Sequence, residues 1–171
     1  MRNILDSKGG RNSVYPPSEG LTFFPFIYMV PQYRPDDVLM LGYAGGTTAG
    51  LIRMFYGQAV PIVAVDIQPS LTNVYNVTFI QDDAREYIKY CGHKFDSVII
   101  DMYEDGSDVP CDFVTQLSFV TKVKEISRYI IVHAKKDTDM TVYGDPLKVL
   151  ALNDSRFYYY MVERIGRLPI R

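Results

Sequence analysis

Two cysteines, Cys91 and Cys111, are all that the 171 residues contain, too few for a disulfide framework or a four-cysteine zinc site, so both read as free thiols. With only His93 and His133 beside them, no structural metal is expected. Neither sign of charge is in excess. The 18 basic and 20 acidic residues leave a net charge of −2, which offers no general attraction to nucleic-acid phosphates or anionic lipid. Long hydrophobic runs are also missing: the longest nearly apolar stretch, Leu21 to Val30, is about half of the ~20 residues that cross a bilayer, and Pro25 interrupts it. The first ten residues hold no apolar segment of signal-peptide length, so a cytoplasmic protein without a membrane partner is expected. Repeats and low-complexity segments are absent as well.

What is present starts with Val38-Leu39-Met40-Leu41-Gly42-Tyr43-Ala44-Gly45-Gly46-Thr47, an apolar run, a glycine turn and then apolar residues at helical spacing as far as Phe55. This reads as strand, tight turn and helix. Gly42, Gly45 and Gly46 let the backbone come close to a ligand, and the helix that follows aims free N–H groups at it. Alone, the pattern fits an ordinary connection between a strand and a helix equally well. A second apolar strand, Val60 to Asp66, ends in a carboxylate 24 residues after Gly42, and a strand-end acid about 20 residues past such a turn is placed to accept ribose hydroxyls.

The rest of the chain alternates: strand 37–41, helix 47–56, strands 60–65 and 77–80, helix 83–90, strand 95–100, helix 112–125, strand 128–133, helix near 145–152, then a strand over 156–164 and a return strand over 166–171. The stretch 67–76 is too short for a full crossover helix. Buried strands alternating with helices predict an α/β fold, a mostly parallel sheet covered on both faces, with an antiparallel C-terminal strand. Residues 1–20 read as a surface-draped arm. Leu21–Val30 reads as a short helix begun at Pro25 or an edge strand.

Acids sit at the strand ends. Asp82 and Asp83 stand at the start of the helix over 83–90, with Ala84 beside them; they read either as hydrogen-bond partners for a nucleobase amino group or as helix caps, and the two roles are compatible. Asp101 ends the strand 95–100 and opens a loop with Glu104, Asp105 and Asp108, four acids in eight residues. A solvated loop is the plain reading. The sharper one is that Asp101 takes a proton from an amine or hydroxyl nucleophile.

The glycine turn, Val65-Asp66, Asp83-Ala84-Arg85-Glu86-Tyr87-Ile88, Phe95 to Tyr103, Val109-Pro110 and Thr115 together resemble the spermidine synthase-like group within the class I S-adenosylmethionine-dependent methyltransferase superfamily, over about residues 36–135. The resemblance implies a Rossmann-like class I methyltransferase fold, with an N-terminal arm and short aromatic segment over 1–35 and one S-adenosylmethionine-binding domain over 36–171. It implies that Gly42, Gly45 and Gly46 approach the methionine or aminopropyl part of the nucleoside, that Asp66 binds its ribose, and that Asp83 and Ala84 border its adenine, where Asp82 is the neighbouring candidate acceptor. Asp101 would be the proton acceptor, with Tyr103 and Glu104 shaping the acceptor pocket. Against the group's pattern, Tyr43, Ala44 and Gly45 stand where its members carry an aspartate, and about 35 residues replace an N-terminal β-rich domain that encloses the polyamine.

The expected function is therefore an S-adenosylmethionine-dependent transferase acting on an amine or hydroxyl acceptor, with methyl transfer favoured. The alternatives are aminopropyl transfer from decarboxylated S-adenosylmethionine and a catalytically idle nucleoside-binding module. A nucleic-acid methyltransferase would need Lys89, Lys94, Lys122, Lys124, Arg128, Lys135 and Lys136 on one face, and scattered lysines more often form a solvated surface. The aromatics at 23–28 and 158–160 suggest a subunit interface, hence a homodimer.

Overall fold

The computed structural model describes residues 2–5, 11–21, 25–70, 75–104, 109–151 and 157–163. In chain order the strands are β1 (Arg2–Leu5), β2 (Arg11–Tyr15), β3 (Val38–Leu41), β4 (Ile62–Asp66), β5 (Thr78–Gln81), β6 (Phe95–Ile100), β7 (Ser127–Lys135), β8 (Lys148–Ala151) and β9 (Phe157–Glu163). The α-helices are α1 (Thr47–Tyr56), α2 (Ala84–Tyr90) and α3 (Leu117–Ile126). β1 and β2 pair as an antiparallel hairpin, and the other seven strands form one sheet in the order β5-β4-β3-β6-β7-β9-β8. β5, β4, β3, β6 and β7 are mutually parallel; β9 runs antiparallel between β7 and β8. The fold is thus the mostly parallel α/β sheet with an antiparallel C-terminal strand that the hydrophobic pattern predicts.

β3 is an inner strand, between β4 and β6, and all four of its residues are apolar and buried. Successive side chains point to opposite faces of a strand, so the chain divides its core in two. Leu39, Leu41, Val98, Ile100, Ile130 and Val132 meet α2 and α3 on one face. Val38, Met40, Ile99 and Ile131 meet α1 on the other, together with Phe26, Met29 and Val30. Each fully buried Leu, Ile or Val contributes about 1.5–3 kcal/mol relative to leaving it in water.

The aromatic segment after Pro25 is a 3-10 helix, Pro25–Met29, and it covers the α1 face of the sheet where another helix would otherwise be needed. Phe26, Tyr159 and Tyr160 are buried by their own chain, which removes that part of the reason for an interface; Phe23 lies outside the described residues.

Two expectations change. The stretch 145–152 is not a helix: Lys148–Ala151 is an edge strand, because pairing with Tyr158–Met161 satisfies the open edge of β9 and outweighs the helical preference of Lys, Leu and Ala. The helix 112–125 is broken at Gln116 into a 3-10 turn, Asp112–Thr115, and α3. The return strand over 166–171 lies outside the described residues.

Between Asp66 and Thr78 the described residues contain no helix. One side chain ties this link down. Arg53, 7% exposed, donates from Nε to the Tyr75 carbonyl at 2.8 Å and from Nη2 to the Asn76 carbonyl at 2.7 Å. Its Nη1 donates to the Val60 carbonyl, and to that of Gly57 at 3.4 Å. Burial pulls its pKa below the ordinary arginine value. A guanidinium carries five donors in a fixed fork, so a single residue fastens both the α1–β4 and the β4–β5 connections to the helix.

Candidate functional site

The strand order reverses at β3, since the chain moves out to β4 and β5 on one side and returns to β6 and β7 on the other. In such sheets the crevice outside the carboxyl ends of the strands at the reversal is where ligands bind. Gly42, Asp66 and Asp101 follow or end the strands β3, β4 and β6 at this edge. Gly42 N–H donates to the Val65 carbonyl and Asp101 N–H to the Leu41 carbonyl, both at 2.9 Å, so the three strand ends are in register. Gly42 has φ +90°, and a Cβ there would stand 2.1 Å from the Asp101 carbonyl oxygen. No side chain fits that seam.

Asp66 holds its own turn. Its Oδ2 accepts the N–H groups of Tyr43 at 2.8 Å and Ala44 at 3.0 Å, and Oδ1 accepts Gln68 N–H at 2.9 Å. Three of a carboxylate's roughly four acceptor positions are then occupied, leaving about one for a ligand hydroxyl. The turn itself carries Ala44 at φ +49°, a conformation L residues rarely adopt, and these bonds hold it there.

The rest of the turn is covered by β2. Ser13 Oγ accepts Gly45 N–H at 2.9 Å. Val14 N–H donates to Thr47 Oγ1 at 2.8 Å, and that hydroxyl donates to the Val14 carbonyl at 3.1 Å. Gly46 N–H donates to the Tyr43 carbonyl at 2.8 Å. Ser13, Val14, Thr47 and Thr48 are all buried. The arm is draped over the mouth of the glycine turn, with every N–H from Tyr43 to Gly46 engaged inside the chain.

Along the edge, Asp83 is the N-cap of α2: its Oδ1 accepts Arg85 N–H at 2.8 Å, and the Arg85 guanidinium hydrogen-bonded to it holds the carboxyl below its ordinary range. Asp82 is exposed and accepts Asp83 N–H at 2.8 Å, while Ala84 is buried against the core.

On the β6 side, Asp101 Oδ1 stands 2.7 Å from Nδ1 of His133, which is 7% exposed near the end of β7. A carboxylate only accepts, so this bond puts the proton on Nδ1. The imidazole is clamped between rings: Tyr159 stacks on it at 4.7 Å and 6°, and Tyr103 lies 5.1 Å away. Tyr103 also donates its hydroxyl to the His133 carbonyl at 3.3 Å. The Tyr159 hydroxyl is buried without a hydrogen-bond partner among the described residues, and burial, then the Asp101 charge, push its pKa above the ordinary value. With Oδ1 engaged, Oδ2 is the oxygen of Asp101 available to an incoming donor. After it, exposed Glu104 donates its N–H to the Val109 carbonyl and Cys111 N–H donates to the Met102 carbonyl; 105–108 lie outside the described residues.

The structure thus gathers Gly42, Asp66 and Asp101 at one seam and joins Tyr103 to it through His133, while Asp82 and Asp83 stand at the neighbouring strand end and Glu104 points to solvent. Sequence reading missed His133, Ser13 and Thr47 as parts of the site. His133 was legible as a polar residue at the end of an apolar strand, the signal that marked Asp101. Ser13 left no sequence signal.

Elsewhere, a groove of about 650 Å³ runs between α2 and α3, floored by Phe113 and Phe119. Its cations are engaged: Arg85 with Asp83, Lys89 with Glu86 and Lys122 with Glu125. Arg128 likewise pairs with Asp96, and Lys124 donates to the Val142 carbonyl. Among the described residues no group of three or more His, Cys, Asp or Glu is arranged to hold a metal ion, and no helix is long and apolar enough to cross a membrane.

Solved structures share this architecture. Fibrillarin from Aeropyrum pernix, with natively bound S-adenosyl-L-methionine, superposes with a TM-score of 0.55 at 20% identity, covering 84% of this chain and 70% of its own. An RNA methyltransferase from Salinibacter ruber, in complex with S-adenosyl-L-homocysteine, gives 0.55 at 17% over 78% and 84%. A probable spermidine synthase from Corynebacterium glutamicum ATCC 13032 gives 0.57 at 16% over 74% of this chain and 55% of that one, so the chain spans about half of its length. No family model matches the chain, and no curated protein does. At these identities the likeness establishes the fold, the Rossmann-like fold of S-adenosylmethionine-dependent methyltransferases.

Proposed function

We propose that the chain is an S-adenosylmethionine-dependent methyltransferase acting on an amine or hydroxyl acceptor. The observation that carries this reading is the seam at the strand-order reversal, where the Gly42 backbone touches Asp101, Asp66 flanks it on one side, and Asp101 is held by His133 on the other. The nucleoside moiety fits the acceptors present: Asp66 keeps about one acceptor position for a ribose hydroxyl, and exposed Asp82 offers acceptors at the next strand end. A carboxylate-bearing tail fits less well while Ser13 occupies Gly45 N–H.

When bound, S-adenosylmethionine supplies a carbon activated by the adjacent sulfonium. The protein's part is alignment and proton removal. Asp101 Oδ2 accepts the proton of the attacking amine or hydroxyl, and the Nδ1–H of His133 fixes Oδ1 so that the other oxygen faces the acceptor. Tyr103, bonded to the His133 carbonyl, and exposed Glu104 border the acceptor.

A second reading, aminopropyl transfer from decarboxylated S-adenosylmethionine, is favoured by the engaged donors of the turn, which offer a carboxylate little. Calorimetric titration with S-adenosylmethionine, its decarboxylated form and methylthioadenosine separates these. Tighter binding of the carboxylated form supports methyl transfer, tighter binding of the decarboxylated form supports aminopropyl transfer, and no binding of any of the three overturns both.

A further inference from the structure

The contacts between β2 and the glycine turn concern which ligands enter. They rest on two residues of β2. Ser13, 2% exposed, takes the Gly45 N–H, and Val14, fully buried, exchanges two hydrogen bonds with Thr47, the first residue of α1. Oriented N–H groups at a turn leading into a ten-residue helix are donors that an anionic group would use, and a serine oxygen now uses one of them.

A second observation lies beneath the next stretch of the arm. Gly50 has room for no Cβ: it would stand 2.6 Å from Pro17 Cβ and 2.9 Å from Tyr75 Cε1, so the chain after β2 crosses α1 at its closest and Tyr75 lies beside the crossing. The Tyr75 hydroxyl is buried without a hydrogen-bond partner among the described residues. Burial, with Tyr15 and Tyr43 nearby, pushes its pKa up to about 12. A buried hydroxyl without a partner is costly, and the cost is relieved when water or a ligand reaches it. The arm therefore closes the turn with bonds at Ser13 and Val14, and the residue beside its crossing of α1, Tyr75, carries a buried hydroxyl without a partner among the described residues.

We infer that β2 is a specificity gate on the proposed nucleoside site, in which Ser13 stands where the carboxylate of an amino-acid-bearing nucleoside must bind: a carboxylate-free nucleoside binds with β2 in place, and a carboxylated one binds only as β2 lifts from Gly45 and Thr47. This rests on the S-adenosylmethionine-site reading above. It makes Ser13 a specificity residue, not a catalytic one, because the Asp101–His133 pair belongs to other strand ends.

The test uses the full chain with two probes, S-adenosylhomocysteine, which carries the carboxylate, and methylthioadenosine, which lacks it. Ser13→Ala removes one bond that the carboxylated ligand must break, so S-adenosylhomocysteine is expected to bind about fivefold more tightly, with methylthioadenosine changed by less than about twofold. Ser13→Asp places an anion at the same donor, and S-adenosylhomocysteine should weaken by about tenfold or more. Hydrogen exchange of peptides covering 11–15 should accelerate when S-adenosylhomocysteine saturates the wild-type protein and stay unchanged with methylthioadenosine. A melting curve for each variant shows that the fold is kept. If both probes bind and respond alike to the Ser13 variants, or if residues 11–15 stay protected with S-adenosylhomocysteine bound, the gate is overturned while the nucleoside site stands. If neither probe binds any form, the nucleoside site falls and the gate with it.

Discussion

The two sides of the β3–β6 seam are prepared differently. On the Asp101 side the geometry is set: one carboxylate oxygen is fixed by His133, the imidazole is clamped between Tyr103 and Tyr159, and the second oxygen is left for a donor. On the glycine-turn side the groups that would face a ligand face the protein instead, toward Asp66 and Ser13. On the proposed reading the acceptor side is preorganised, whereas the carboxylate end of a cofactor would be reached by moving a short strand. Under that proposal Asp101 is held oriented before a ligand arrives, and ligand entry becomes the discriminating step.

The largest expected effect tests the seam that both sides share. Gly42→Ala forces a Cβ into the Asp101 carbonyl at a positive φ and should cost about 4 kcal/mol or prevent folding, read by urea unfolding. A loss under 1 kcal/mol would mean the two strand ends are not locked together.

Next comes the wall on the turn side. Arg53→Met strands four backbone carbonyls, and the expected loss is about 3 kcal/mol, moderated because a buried cation is removed with them. The urea midpoint reads this directly, and an unchanged midpoint would show that the link after Asp66 is held by something else.

His133 sharpens the contrast. His133→Leu leaves Asp101 Oδ1 without its donor and should cost about 2 kcal/mol, with His133→Asn, whose amide can donate in place of Nδ1, recovering about half. Because the effects of independent sites add, S-adenosylhomocysteine affinity should change by less than about twofold in either variant. A large change in affinity would mean that the two sides are coupled.

The smallest effect belongs to neither side. Asp83→Ala removes the α2 cap and should cost about 1 kcal/mol at pH 7. The folded Asp83 pKa is depressed, so its contribution is present above the ordinary aspartate value near 3.9 and fades as pH falls through the folded value. The gap between wild type and variant, from urea curves at pH 7 and pH 3, should shrink accordingly.

Much of this was legible in the residues. Apolar runs ending at a glycine or an acid announced β3, β4 and β6, and their common edge followed from the parallel pattern. Lys148–Ala151 was not legible as a strand, because nothing local distinguishes it from a helix and only the open edge of β9 decides it. Asp83 caps α2 in the structure, one of the two roles its position offered, through a bond to the N–H two residues on. Ser13 was invisible because its role depends on a hairpin folding back across 32 residues to Gly45, and polar arms of similar composition carry no mark of where they land. Arg53 was read as one helix residue among others, since its partners are carbonyls, which every residue has.

The central claim is that a nucleoside sits over Gly42 between Asp66 and Asp101, with β2 deciding what accompanies it. The most direct measurement is a crystal structure of the chain grown with saturating S-adenosylhomocysteine. The expected result is a ribose hydroxyl on Asp66, with Ser13 Oγ withdrawn from Gly45 N–H and the ligand carboxylate in its place. A ligand bound away from Asp66, or no ligand at all in a well-ordered crystal, would contradict the account.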